Sequence, residues 1–213
     1  MKIGLLVDGD AEYHALPKLL SRLESPHQVL SQPLKCDIQP FATPAQMALA
    51  ASKKFQILLT RGAESIVVLI DKETRPDCTV ELVRAVEREA RKRLREMSTT
   101  VDLQVVLKIS MFENWLIADP EALGGLAGLF EKVERIEKQV GKGRADSADA
   151  LSLLKACSRE RVYDKVKGAM AICPRLDPIR AAGNSRSFRK FMKALEVPQR
   201  GPSPRRPSSR GKR

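Results

Sequence analysis

Aromatic side chains are scarce in this chain: one Trp, two Tyr and six Phe among 213 residues. That argues against a platform that grips nucleic-acid bases by stacking. Histidine occurs only at His14 and His27, and neither has the Ser or Cys surroundings of a nucleophilic triad. The cysteines Cys36, Cys78, Cys157 and Cys173 form no C-x-x-C pair and lie too scattered for a zinc site or a secreted disulfide framework, so reduced thiols are expected. No apolar run approaches the roughly 18–20 residues of a membrane span. The N-terminal MKIGLLVDGDAEYH places acids where a signal peptide would extend its apolar stretch, and a cytoplasmic protein with no membrane association is expected. The segment Gly141-Lys142-Gly143-Arg144 lacks the spacing of a P-loop, which gives no support for ATP binding by this chain.

What is present describes a folded domain with a charged appendage. Hydrophobic residues make up 43% of the chain, enough for a core, and the formal net charge is +12. Six basic residues and no acid fall in Arg200–Arg213, RGPSPRRPSSRGKR, beside three Pro, three Ser and two Gly. With no apolar side chains to offset the entropy of ordering, a disordered tail is expected there. It either contacts phosphate backbones or acidic surfaces, or is a solvated tail without a dedicated partner.

The first half alternates short apolar runs with helical patterns. Strands are expected at Lys2–Val7, Leu34–Phe41, Ser65–Ile70 and Leu103–Ile109, with Pro40 placing the second near an edge. Between them, helices are expected over Asp10–Leu23 with Asp10 as N-cap, from Thr43-Pro44 to about Leu59 with Gly62 as the stop, and over Cys78–Met97. The order implies an α/β fold with a mostly parallel four-stranded sheet and helices on both faces. Beyond Ser110 only helical patterns remain: Phe112–Ala118, Glu121 to about Val140, Ser147–Cys157, Arg161–Cys173 and Ser187–Leu195.

Ligands of open parallel sheets gather outside the carboxyl ends of the strands, where this sequence is acidic. Asp8 follows the first strand, Asp71 the SIVVLI strand with Glu73 two residues on, and Glu113 follows the last; Glu12 lies one helical turn beyond the Asp8-Gly9 bend. Four or five carboxylates can converge. Crowded carboxylates without His or Cys suit a hard cation, Mg²⁺ or Mn²⁺, which typically serves phosphate chemistry. Gly9 would let the backbone approach such a phosphate. The alternative is structural: Asp8, Asp10 and Glu12 cap a helix, and Asp71 and Glu73 are turn residues. Trp115, Leu116 and Ile117, in an apolar helical context, read as core.

The blocks VDGDAEYHALPKLL, VVLIDKETRPDC, ISMFENWLIADPEAL, VYDKVKGAMAI and SRSFRKFMKAL, in that order over about 190 residues, resemble the bacterial domain-of-unknown-function 4276 family, placed among the Toprim-like domains. Toprim domains, as in topoisomerases, primases and the nucleases of overcoming-lysogenization-defect proteins, carry a glutamate after the first strand and a D-x-D after a later one. The resemblance, which leaves out the tail, implies a Toprim-like (Rossmann-like) domain over residues 1–119; with the helical patterns beyond it, the expected organisation is completed by a helical extension packed on that domain over 120–197 and the basic tail at 198–213. It implies catalytic roles in acid–base work for Asp8 and Glu12, and metal ligation by Asp8, Asp71, Glu73 and Glu113. Asp8 stands where the pattern has Glu, and Glu73 where it has Asp. In the later blocks Tyr163, Lys165, Ser185, Arg186 and Lys190 are either a phosphate-binding wall, together with Gly9, or solvated helix faces.

The resulting expectation is a Mg²⁺-dependent nuclease or other phosphodiester-acting protein of a bacterial defence (phage defence) or mobile-element system. Its partners would be nucleic acid, DNA foremost, and a separate ATPase chain. Two rivals stand beside it: a catalytically inactive module with the same fold that binds nucleic acid or a partner protein, and an enzyme acting on a small phosphorylated molecule.

Overall fold

The run IGLLV and the run IVVLI are apolar throughout, and each forms a strand covered on both faces. The computed structural model describes residues 1–141 and 143–197; the tail expected at 198–213 and Lys142 of the GKGR loop lie outside them. The first half contains β1 (Lys2–Val7), α1 (Asp10–Leu20), β2 (Gln28–Val29), β3 (Leu34–Lys35), α2 (Pro44–Thr60), β4 (Ser65–Asp71), α3 (Thr79–Glu96) and β5 (Asp102–Lys108).

Every ladder in the sheet is parallel. The strand order is β2-β1-β4-β5, with β3 also pairing β1, so the sheet has five strands rather than four. The difference is local. β2 pairs with the start of β1 and β3 with its end, as two short pieces of one edge position. The strand expected to reach Phe41 ends at Lys35, because Asp37 to Pro40 turns away and Pro40 has no N–H to offer a ladder.

Strand alternation divides the core. Leu5, Val67, Leu69 and Val106 face α1 and the C-terminal helices, while Leu6, Val68, Ile70 and Leu107 face α2 and α3. Helix α2 begins as the sequence implied, with Thr43 and Gln46 forming a reciprocal capping box and Pro44 in the first turn. Helix α1 differs: Gly9 is the N-cap without a side-chain bond, and Asp10 instead pairs with Lys35 at 2.7 Å. Pro17 is tolerated within α1 because Gln32 Nε2 donates to the Tyr13 carbonyl that the ring leaves without a helical partner.

The second half is helical: α4 (Glu113–Leu116), α5 (Pro120–Gly124), α6 (Glu134–Val140), a 3₁₀ turn (Ala145–Ser147), α7 (Ala150–Cys157), α8 (Lys165–Ile172), α9 (Pro178–Asn184) and α10 (Arg186–Ala194). The single helix expected over Glu121 to Val140 is broken after Gly124-Gly125, and Lys132 takes φ 53°. Helix α9, which the apolar pattern did not reveal, starts at Pro178 under a cap in which Asp177 accepts from Ile179 and Arg180. Trp115, Leu116 and Ile117 are fully buried. Among the described residues no helix is long and apolar enough to cross a membrane, and all four cysteines are free.

Candidate metal centre

From β1 the chain runs by α1 to one side of the sheet and then returns by α2 to place β4 on the other side. The order therefore reverses between β1 and β4, and the residues ending those two strands flank the reversal. They are Asp8 and Asp71. Asp8 Oδ2 accepts the Asp71 N–H at 2.6 Å, which ties the two strand ends together. Glu12, in the first turn of α1, points back into the same space and is 2% exposed although charged. One oxygen from each of Asp8, Glu12 and Asp71 lies within 4.8 Å of the others.

A buried cation sits among them. Lys108, the last residue of β5 and the register partner of Asp71, is completely buried. Its Nζ donates to Asp8 Oδ1 at 2.6 Å and, in a very short contact, to Glu12 Oε1. Asp71 Oδ1 is 3.0 Å from the same nitrogen but outside hydrogen-bonding geometry, so this buried oxygen accepts no hydrogen bond. Three carboxylates around one ammonium leave a formal charge of −2.

That charge arrangement shifts proton affinities. Burial pushes the Asp71 carboxyl up to about 8, and the neighbouring carboxylates add to the rise while Lys108 opposes it. Burial alone would lower Lys108, but Asp71, Asp8 and Glu12 together overcome it and hold the ammonium well above its ordinary range. The donor set fits a hard divalent cation: all-oxygen ligands, excess negative charge, and one buried oxygen without a hydrogen bond. Lys108 shares that space.

The remaining expected residues are distributed around this centre. Glu73 is exposed and has φ 50°, its N–H donating to Ser110 O; with Asp8, Asp71, Pro40, Phe41 and Arg75 it lines a cavity of about 20 Å³, enough for about one water. Glu113 is buried at the start of α4, its carboxyl raised by burial, with Lys165 Nζ 4.0 Å away, and its oxygens are not among the three clustered ones. Lys165 thus belongs to the surroundings of Glu113. Gly9 has φ −121°, an ordinary value; the space its missing side chain leaves is filled by Glu12, whose Oε2 would stand 2.3 Å from a Cβ there. Arg186 and Lys190 are exposed on α10 and line a different cavity with Thr79, Ile109 and Ser147. Ser185 is the buried N-cap of α10, and Tyr163 is largely buried, its hydroxyl without a hydrogen-bond partner.

Two functional-looking residues escape the sequence reading. Lys108 is a lone cation in the strand LQVVLKI, and the available signal is its alternation with Val106 toward the face that receives Glu12. Arg75, 9% exposed, borders the acidic cavity while bonding Asp77 and the Ala42 carbonyl; its TRPD setting gives no such hint.

A parallel sheet whose strand order reverses beside a carboxylate cluster able to hold a metal ion defines a Rossmann-like α/β protein. Within that class the chain belongs to the family described as domain of unknown function DUF4276, which matches residues 7–196. No curated protein and no solved structure matches the chain.

Proposed function

We propose that this is a Mg²⁺- or Mn²⁺-dependent, Toprim-like protein acting on phosphodiesters, a nuclease in its simplest form. The observation that carries this reading is the convergence of Asp8, Glu12 and Asp71 at the reversal point of the sheet, where the three carboxylates, when all ionised, outnumber the one ammonium of Lys108. Those three side chains would hold the ion, with Glu73 at the rim. The ion would neutralise charge developing on a phosphate and help to activate water. Lys108 stays protonated and adds a fixed positive charge in a dry setting, where such charges act strongly on a developing anion. Asp8 and Glu12, both bonded to that ammonium, are held rigidly. Asp71 Oδ1, buried and without a hydrogen bond, is the ligand oxygen least engaged by that ammonium.

A second reading is supported by Lys108 itself. An ammonium ion-paired with all three carboxylates already supplies an internal cation, as in a non-catalytic module that keeps the fold and binds nucleic acid or a partner chain. Calorimetric titration with Mg²⁺ or Mn²⁺ on wild type and Asp71→Asn, with the same samples incubated with plasmid, single-stranded DNA and RNA, separates the two. Binding and cleavage lost together in the variant support the enzyme. Absence of both in wild type supports the module. A role in phage defence, with a separate ATPase chain, is the setting the family resemblance implies, and loss of protection in cells carrying Asp71→Asn would be its test.

A further inference from the structure

Strand β5 is the free edge of the sheet, and α3 and α10 stand on either side of it. Between them runs a groove in two connected parts, of about 890 and 560 Å³, which share Thr79, Leu107 and Lys190 in their walls. One wall presents Arg186, Arg189, Lys190 and Lys193, at the i, i+3, i+4, i+7 spacing of a single face of α10. Arg84 faces them from α3. All five are exposed, and none of them makes an ion pair with a described residue. The acids in the groove are already engaged: Glu87 accepts the Val105 N–H, Asp146 accepts from Ser185 and from the Arg186 and Ser187 N–H groups, and Glu196 pairs with His27.

We propose that this groove carries the sugar–phosphate backbone of a single nucleic-acid strand toward the acidic centre. The inference rests on the phosphodiester reading above and adds the surface on which the polymer lies. The uncompensated charge selects a polyanion. No Phe, Tyr or Trp lines either part, so recognition is through the backbone and tolerant of sequence. An added peptide strand is disfavoured because the edge of β5 is partly capped: the Val105 N–H is bound by Glu87 and the Leu103 carbonyl by Arg91. The chain's own segment beyond Val197 carries basic residues and no acid, so it is not a charge-complementary occupant of the groove. The groove ends beside the catalytic pole: Leu107 and Ile109 line it and flank Lys108, and Ser110, whose hydroxyl meets the Asp146 carbonyl, accepts the Glu73 N–H.

The test is fluorescence anisotropy of a labelled oligodeoxythymidylate, and of its RNA counterpart, on the full chain in EDTA, so that cleavage plays no part. Arg189→Glu/Lys193→Glu is compared with Lys53→Glu/Arg61→Glu, the same charge change on α2 and its C-cap, neither of which lines the groove. The groove variant is expected to bind at least about tenfold more weakly at moderate salt and to lose roughly 0.7 from the logarithmic salt slope for each phosphate contact removed. The control is expected to stay close to wild type. Equal affinities of the two variants would overturn the groove while leaving the acidic centre to its own metal titration. Failure of wild type to bind either strand, or binding of polyglutamate in its place, would overturn the proposal as well. If wild type cleaves neither DNA nor RNA in Mg²⁺ or Mn²⁺ yet the groove variant loses binding, the surface stands and the nuclease reading falls.

Discussion

Among the described residues the Lys108 ammonium is the only cation ion-paired with Asp8, Glu12 or Asp71, and it has no access to water. Replacing it with Met keeps the stem's volume and removes the cation, leaving clustered carboxylates uncompensated. The expected cost is about 3–5 kcal/mol of stability, the range for breaking a buried ion pair from one side. A divalent cation should then restore part of it, so that Mg²⁺ raises the Tm of Lys108→Met more than that of wild type; an unchanged melting curve would show that the ammonium is not the cluster's counter-charge. Asp71 supplies a pH signature. Its folded carboxyl is raised to about 8, above the ~3.9 of an unfolded Asp, so the folded state holds this proton more tightly. The stability due to that proton is complete below about pH 4, declines as pH rises, and is gone above about pH 8. The slope is at most about 1.4 kcal/mol per pH unit. Urea denaturation at pH 5, 7 and 9 should therefore show wild type losing stability relative to Asp71→Asn; parallel curves would mean that Asp71 is ionised throughout.

At the scale of elements, α10 is held in place by one carboxylate and one indole. Asp146, in the 3₁₀ turn, accepts from the Ser185 and Ser187 hydroxyls and from the Arg186 and Ser187 N–H groups. Trp115 Nε1 donates to Ser187 Oγ at 2.7 Å, and the Trp115 ring stacks on Phe191 with centroids 5.1 Å apart. Asp146→Ala removes charge-assisted bonds at a helix N-terminus, with an expected cost of roughly 2–4 kcal/mol. Amide exchange should accelerate across residues 185–195 while β1 and β4 keep their protection; uniform acceleration would mean that α10 is not separately anchored. Such long-range anchors explain which elements could be read from the sequence. Strands β1, β4 and β5 and helices α2 and α3 declared themselves by apolar runs, periodicity and caps. The break between α5 and α6 and the start of α9 depend on Gly124-Gly125 and on an Asp-Pro cap, local signals weaker than the apolar pattern around them.

For the whole molecule, the distribution of core residues decides how many units fold. One continuous apolar cluster includes Leu5 of β1, Leu16 of α1, Trp115 of α4, Ile172 of α8 and Phe191 of α10, so the sheet face under the acidic centre is covered by the C-terminal helices. The acids at the strand ends were legible because parallel topology places them; the Lys108 contacts were not, since they join residues about 100 positions apart along the chain. A fragment ending at residue 119 would keep every strand but expose Leu16, Trp115 and the Val67/Leu69 face, each large apolar side chain losing on the order of 1.5–3 kcal/mol of burial. Domains are marginal by only about 5–15 kcal/mol in total. The 1–119 fragment is therefore expected to show no cooperative melting transition, while the full chain melts in one step whose midpoint agrees between far-UV circular dichroism and Trp115 fluorescence. Cooperative folding of the fragment would make the helical region an independent unit docked on the sheet, and Lys108 would then hold its carboxylates without that cover.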